Sequence, residues 1–115
     1  MSPVSPKAQP AIRRARASVF AALGDETRLS LVARIIRDQP RSISELTKGS
    51  RLSRQAISKH LRVLENVGIV HRQRRGRETL YHFDPLAIEA AKQYLDLVSQ
   101  QWNQSLARLK AFVEP

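Results

Sequence analysis

The sequence of 115 residues lacks cysteine altogether, which excludes disulfide bonds, thiolate metal sites and thiol-based redox switches. No apolar run approaches the ~20 residues that cross a bilayer, and the N-terminus has no apolar segment of the kind found in signal peptides. Acidic side chains are scarce, 10 against 20 lysines and arginines, which gives a net charge of +10. We therefore expect a cytoplasmic protein that binds no membrane and is attracted to a polyanion.

The basic excess is confined to one part of the chain. Residues 85–115 carry three basic and three acidic side chains and are neutral overall, so the whole excess lies in residues 1–84. The length fits a single domain. Residues 1–10 contain three prolines and two serines and are predicted to form a disordered arm, with residues 11–115 as one folded domain.

Capping signals divide the folded part into helices. The first helix is predicted to begin at Ala11 and to stop at Gly24. Asp25 is the predicted N-cap of a second helix, which Pro40 ends. The apolar residues of this second helix that recur at helical spacing are Leu29, Val32, Ala33 and Ile36.

The next two helices have the spacing of a helix-turn-helix. Ser42 and Glu45 form a capping box for a short third helix, and residues 49–51 predict a tight turn that contains glycine. Ser53 is the N-cap of a fourth helix, which Gly68 ends. The buried stripe predicted for this fourth helix consists of Ile57, Leu61, Leu64 and Val67.

The apolar period changes after Gly68. Residues 69–74 and 78–83 are strand-like segments around Gly76, which predicts a β-hairpin. Asp84 followed by Pro85 begins a last helix over residues 85–113, whose continuity the sequence leaves open. The order predicts a mainly α fold with a small β-hairpin, α-α-α-α-β-β-α, which is typical of a winged helix-turn-helix.

The second helix of a helix-turn-helix enters the major groove of DNA. Its apolar stripe must be buried, so its polar side chains face outward, where Arg and Lys can donate to guanine, Gln can bond adenine, and Ser can serve base or phosphate. For phosphate contact we favour Arg62. The alternative is an ordinary solvated helix face. The residues we favour for base readout are Arg54, Gln55, Ser58 and Lys59.

The hairpin favours the nucleic-acid interpretation. Its arginines are Arg72, Arg74, Arg75 and Arg77, and guanidinium groups at a hairpin tip can contact phosphates or enter a narrow minor groove. The alternative, an edge hairpin charged against aggregation, does not require the charge to cluster at the tip. We therefore predict double-stranded DNA as the partner. The predicted contact set is Ser42, Ser53, Arg54, Gln55, Ser58, Lys59, His60, Arg62, Arg74, Arg75 and Arg77.

Three segments carry family-like motifs: residues 22–29 (ALGDETRL), residues 52–70 (LSRQAISKHLRVLENVGIV), and Gly76-Arg77 with residues 80–83 (LYHF). They resemble the second-helix start, the recognition helix and the wing of the ArsR-type (ArsR/SmtB-like) bacterial regulators. The resemblance implies a homodimer that binds an operator with dyad symmetry and usually represses transcription. It implies dimerisation through the first and last helices, for which the candidate residues are Val19, Phe20, Leu95, Val98, Trp102, Leu106 and Leu109.

The resemblance does not extend to metal sensing. Residues 46–49 (LTKG) stand where arsenic or cadmium sensors of the family place cysteines, and residues 85–115 contain no histidine for a zinc or nickel site. The last helix, with Trp102 followed by Leu106 and Leu109, resembles the non-metal-sensing branch instead. We predict no metal site and no cofactor, and the sequence does not identify a small-molecule effector.

The remaining histidines and hydroxyls do not suggest an enzyme. Ser58 and His60 point to different faces of one helix, so no catalytic residues are predicted. We favour a structural or phosphate-contacting role for His60, and His71 with His82 supplies too few ligands for zinc. Two alternatives stay open on this fold, a protein-interaction module and a non-specific nucleic-acid-binding protein. The sequence also leaves open the operator, the regulated genes and the direction of regulation.

Overall fold

The computed structural model describes residues 9–114. Within that range five helices and three strands follow one another along the chain, and they keep the predicted order of helices and hairpin. The elements are α1 (Gln9–Leu23), α2 (Glu26–Arg37), β1 (Arg41–Ser42), α3 (Ile43–Lys48), α4 (Arg54–Asn66), β2 (Val70–Arg75), β3 (Glu78–Phe83) and α5 (Pro85–Val113). No helix within this range is long and apolar enough to span a bilayer.

The first helix begins earlier than the sequence predicts. It starts at Gln9 rather than Ala11, so Gln9 and Pro10 belong to α1 and not to an arm. Proline is tolerated in the first turn of a helix because the N–H groups there have no intrahelical acceptor. The rest of the predicted arm, residues 1–8, lies outside the described residues.

The last helix is continuous, a point that the sequence left open. It runs unbroken over 29 residues from Pro85 to Val113, about 43 Å at 1.5 Å per residue. Asp84 is its N-cap, as predicted, and accepts a hydrogen bond from the Leu86 N–H at 2.9 Å. The first turns of α5 pack against α1, where Ala91 is buried. From Leu95 to Glu114 every residue is exposed.

The sheet has three strands rather than the predicted two. β3 lies in the centre, with β2 on one side and β1 on the other, both antiparallel to it. β1 pairs Arg41 with Tyr81, and its two residues are too few to show any alternation in the sequence. The β2–β3 turn has Gly76 at its first central position with a φ of 62°, which is typical of a type II′ hairpin.

Helices α2 and α4 supply much of the core. The fully buried side chains of α4 are Ile57, Leu61 and Leu64, and Val67 of the predicted stripe is half-buried. Gly68 has a φ of 80°. Its N–H donates to the Glu65 carbonyl, and the Ile69 N–H donates to the Leu64 carbonyl. These two bonds form a Schellman motif, which confirms that Gly68 ends the helix.

Of the four apolar residues that recur at helical spacing in α2, Val32 is buried, whereas Leu29, Ala33 and Ile36 are exposed. Leu31, Val32 and Ile35 are buried against α4 and β3, whereas Leu29 and Ile36 are 52% and 48% exposed. Apolar residues occupy five of the six positions from 31 to 36, so helical spacing alone allows more than one buried stripe. The neighbouring elements decide which stripe is used.

Candidate nucleic-acid interface

The orientation of α4 follows from its caps and from its buried stripe. The Ser53 hydroxyl accepts a hydrogen bond from the Ala56 N–H at 3.2 Å and fixes the start of the helix. Ile57 and Leu61 recur four residues apart and are both buried. The opposite side of the helix must therefore face solvent.

Five of the predicted DNA-contacting residues meet on that outer face. They line one shallow groove of about 390 Å³, and four of the five are exposed, with Ser58 half-buried. The described residues that line the groove include no acidic side chain. The members of this reading face are Arg54, Gln55, Ser58, Lys59 and Arg62.

The cations of the reading face are electrostatically uncompensated. Within residues 10–114, neither Arg54, Lys59 nor Arg62 has a carboxylate within ion-pair distance. Charges on a protein surface that lack internal partners raise the local positive potential and attract an anionic ligand. The face can therefore donate to bases and attract phosphates at the same time.

Two residues of the predicted contact set turn inward instead. Ser42 is only 3% exposed, and its hydroxyl accepts the Glu45 N–H at 3.1 Å within the predicted capping box. Because the Ser42 side chain is buried and bonded within that box, we remove Ser42 from the predicted contact set. His60 is half-buried, with its Nδ1 3.3 Å from the Arg28 guanidinium, so its surroundings favour the structural role over phosphate contact.

The hairpin divides its arginines into two groups. Arg72 lies 3.2 Å from the Glu65 carboxylate of α4 and ties the hairpin to that helix. Arg74, Arg75 and Arg77 are exposed, and none of them forms an ion pair within the described part of the chain. The tip therefore carries three open guanidinium groups beside the turn.

Carboxylates hold the helix starts that position these surfaces. The Arg28 N–H donates to Asp25 and lowers the pKa of that carboxyl. The Ser42 N–H does the same for the pKa of Glu45. The pKa of Asp84 is lowered first by the Leu86 N–H and then by His71, whose Nε2 lies 2.6 Å away. All three groups therefore stay ionised at neutral pH.

The predicted dimer residues fall into two groups. Val19 is buried in the core of its own chain, so its side chain has no surface left for a partner. Phe20 is half-buried, with its ring 6.0 Å from that of Tyr94 on α5. The five predicted residues of α5 are exposed, namely Leu95, Val98, Trp102, Leu106 and Leu109. Phe112, which was not among the predicted residues, is also exposed, at 88%, and lies one turn beyond Leu109.

Sequence reasoning also missed two arginines that fix the helices of the motif. Arg34 of α2 donates to the Glu45 and Leu46 carbonyls at the end of α3. Arg28 reaches from α2 to α1 and α4. No local sequence pattern predicts such contacts, because they join residues that are 6 to 32 positions apart in the chain. The only available signal was that Arg28 lies within the family-like motif of residues 22–29.

Comparisons with known proteins agree with this geometry. A family model described as a helix-turn-helix domain matches residues 15–73. The HTH-type transcriptional regulator Rv2034 of Mycobacterium tuberculosis is 33% identical over 85 residues, which cover 74% of this chain and 76% of that protein. The solved structure of an ArsR-like transcriptional regulator from Rhodococcus sp. RHA1 is 35% identical, with a TM-score of 0.79, over 89% of this chain and 95% of that one.

A more distant structure shares the fold. The homodimeric winged helix-turn-helix DNA-binding domain Mb0332 of Mycobacterium bovis is 21% identical, with a TM-score of 0.65, over 90% of this chain and 92% of that one. Helix-turn-helix, hairpin wing and sequence relatives thus point to one group of proteins. The chain belongs to the ArsR-like family of winged helix-turn-helix transcription regulators, which bind DNA.

Proposed function

We propose that this regulator binds an inverted-repeat operator as a homodimer and represses transcription there. The observation that carries the proposal is the uncompensated reading face of α4, where Arg54 and Lys59 project beside Gln55. Arginine and lysine donate to guanine O6 and N7, and the glutamine amide bonds adenine on two atoms. Each well-formed base contact discriminates by about 1–3 kcal/mol.

The hairpin supports the same assignment through its charge. The open guanidinium groups of Arg74, Arg75 and Arg77 suit phosphates beside the groove that α4 enters. Contacts to phosphate position a protein along the duplex without reading sequence. We therefore assign affinity to the hairpin and specificity to α4.

The exposed half of α5 supports dimerisation. Leu95, Val98, Trp102, Leu106 and Leu109 are spaced by three or four residues, as in the seam of a coiled coil. Most of the stability of a helix in a protein comes from packing of its apolar face, and an exposed apolar seam marks an interaction surface. The fold neighbour Mb0332 is homodimeric. We therefore take α5 of a second copy of the chain as the partner, since a second copy is present in every cell that makes this protein.

A symmetric dimer also fixes the form of the operator. Two recognition helices that enter successive major grooves lie about 34–36 Å apart and read half-sites related by a dyad. A dimer seated on promoter DNA excludes polymerase by occupying the same surface. We assign no catalytic activity to the chain, and we place its action in the cytoplasm with the DNA.

Selection from random duplex DNA tests the proposal. We expect an enriched inverted repeat, and we expect Arg54→Ala to relax one position of each half-site. Arg14→Ala, which removes an equal charge from an exposed site on α1, serves as the control and should keep the preference. Salt-sensitive binding without enrichment would favour the non-specific alternative. No binding even at low salt would leave the protein-interaction alternative.

Sedimentation equilibrium tests the seam of α5. Trp102→Ala removes an apolar side chain of the α5 seam that is 62% exposed in the single chain. It should therefore shift the protein toward monomer and lower its operator affinity. Leu97→Ala removes another exposed apolar side chain from outside the heptad seam and should leave the dimer intact. Equal effects of the two variants would contradict the assigned interface.

A further inference from the structure

Two family-like motifs that are far apart in sequence meet at one cluster of side chains. Asp25 and Arg28 come from the motif at the start of α2, and His60 comes from the middle of α4. We propose that Arg28 and His60 are positioning residues that fix the angle at which α4 presents its reading face. This inference rests on the proposed function, because it concerns how that face engages an operator.

Arg28 first anchors itself to the end of α1. Its Nε donates to the Ala22 carbonyl at 2.5 Å, and its Nη2 donates to the Ala21 carbonyl at 3.4 Å. These carbonyls belong to the last turn of α1, where helix carbonyls lack intrahelical donors. The Ala21 carbonyl also accepts the Gly24 N–H at 3.2 Å, so the guanidinium supplies a donor chiefly to the Ala22 carbonyl.

The same guanidinium reaches the recognition helix. Its Nη1 lies 3.3 Å from His60 Nδ1. Arginine has no acceptor atom, so a hydrogen bond in this contact requires Nδ1 to be the acceptor. Asp25 completes the cluster, since its Oδ2 accepts the Arg28 N–H at 3.0 Å and lies 3.8 Å from Nδ1. One arginine thus joins the end of α1, the start of α2 and the middle of α4.

The contacts of Arg28 with α1, Asp25 and His60 form a bridge, and this bridge restrains α4 on the side opposite its reading face. His60 follows Lys59 directly, so the two side chains diverge by about 100° around the helix axis, and the imidazole points away from the reading face. A tilt of about 10° about the middle of the 13-residue helix would move its ends by roughly 2 Å. Base contacts tolerate only a few tenths of an ångström, whereas long side chains can still follow phosphates. Loss of the bridge should therefore reduce specific binding selectively.

Affinity measurements on two duplexes test this role, one being the selected operator and the other a random sequence of equal length. His60→Ala should lower operator affinity about tenfold, the equivalent of one base contact, and leave random-duplex affinity unchanged. His60→Asn places its Oδ1 close to the position of Nδ1, keeps the acceptor for Arg28, and should restore most of the loss.

A double-variant cycle isolates the contact itself. Arg28→Ala should reproduce the loss, and the Arg28→Ala/His60→Ala protein should bind no worse than the weaker single variant. Val32→Ala is the control for general destabilisation, because Val32 is buried in α2 and is not part of the bridge. It should change operator and random-duplex affinity in equal proportion.

The outcomes separate the positioning role from the proposed function. An additive double variant, or His60→Asn as weak as His60→Ala, would overturn the positioning role while leaving the operator preference of the wild type in place. Equal loss on both duplexes after His60→Ala would also overturn the positioning role; a loss larger than that of Val32→Ala would then make His60 a phosphate contact, and a loss no larger would be general destabilisation. Wild-type protein without any sequence preference would overturn the proposed function and the positioning role together.

Discussion

Gly49 at the end of α3 makes room for the guanidinium of Arg34. The backbone of Gly49 has a φ of −90°, which L residues adopt, so backbone strain is not the reason for glycine here. A Cβ at this position would lie 2.6 Å from Nη2 of Arg34 and 2.9 Å from its Cζ. We expect Gly49→Ala to displace the guanidinium from the end of α3.

The cost follows from the bonds that would be lost. Arg34 donates from Nη1 to the Leu46 carbonyl at 2.7 Å and from Nη2 to the Glu45 carbonyl at 3.0 Å. At about 1 kcal/mol for each bond, less about 0.5 kcal/mol for the smaller unfolded-state entropy of alanine, the net destabilisation is about 1–2 kcal/mol. Urea unfolding followed by circular dichroism measures it, at one fixed protein concentration because a dimer gains stability with concentration.

The Arg34→Ala background shows whether the guanidinium is the cause. There Gly49→Ala should be neutral or stabilise by about 0.5 kcal/mol, since nothing remains to be displaced. Arg37→Ala is the matched control, because Arg37 is exposed and lies beside only an exposed carboxylate, that of Asp38. An equal cost of Gly49→Ala in the Arg34→Ala and Arg37→Ala backgrounds would refute the reasoning.

Three further outcomes are expected. Gly68→Ala should lower stability in urea by about 1 kcal/mol, because Gly68 has a φ of 80° and a Cβ there meets no other atom; a several-fold larger loss would mean a hidden clash. Arg77→Ala should weaken operator and random-duplex binding alike and reduce the salt slope by about 0.9 for each subunit, about 1.8 for the dimer; a loss on the operator alone would make Arg77 a base contact. The pKa of Asp84 is lowered by the Leu86 N–H and by His71, so its stabilisation is complete above about pH 4 and is lost as the pH falls through the lowered pKa. Asp84→Asn keeps the cap without the charge and should therefore lose less stability in acid than the wild type; equal acid sensitivity in urea titrations would contradict this.

The parts of the fold that could be predicted are those fixed by neighbours in sequence. The caps at Asp25, Ser42, Ser53 and Asp84 each depend on a side chain that bonds an N–H two or three residues further on. The Schellman turn at Gly68 depends on a positive φ that glycine adopts without strain. Such interactions are complete within one turn of chain, so the residues alone specify them.

The parts that could not be predicted depend on distant neighbours. Leu31 rather than Leu29 is buried because α4 and β3 lie on that side of α2. Strand β1 is defined only by its pairing with β3. The hydroxyl of Ser42 was predicted both to cap α3 and to contact DNA, and the burial of the cap leaves only the first role.

The pairing of Arg72 with Glu65 bears on how this protein would respond to ionic strength. Cations condensed on DNA are released roughly in proportion to the phosphates that a protein neutralises. A guanidinium that keeps its own carboxylate, 3.2 Å away, displaces none of them. The hairpin arginines of each subunit can then release at most about three such ions, so a count of all four hairpin arginines overstates how steeply added salt should dissociate the complex.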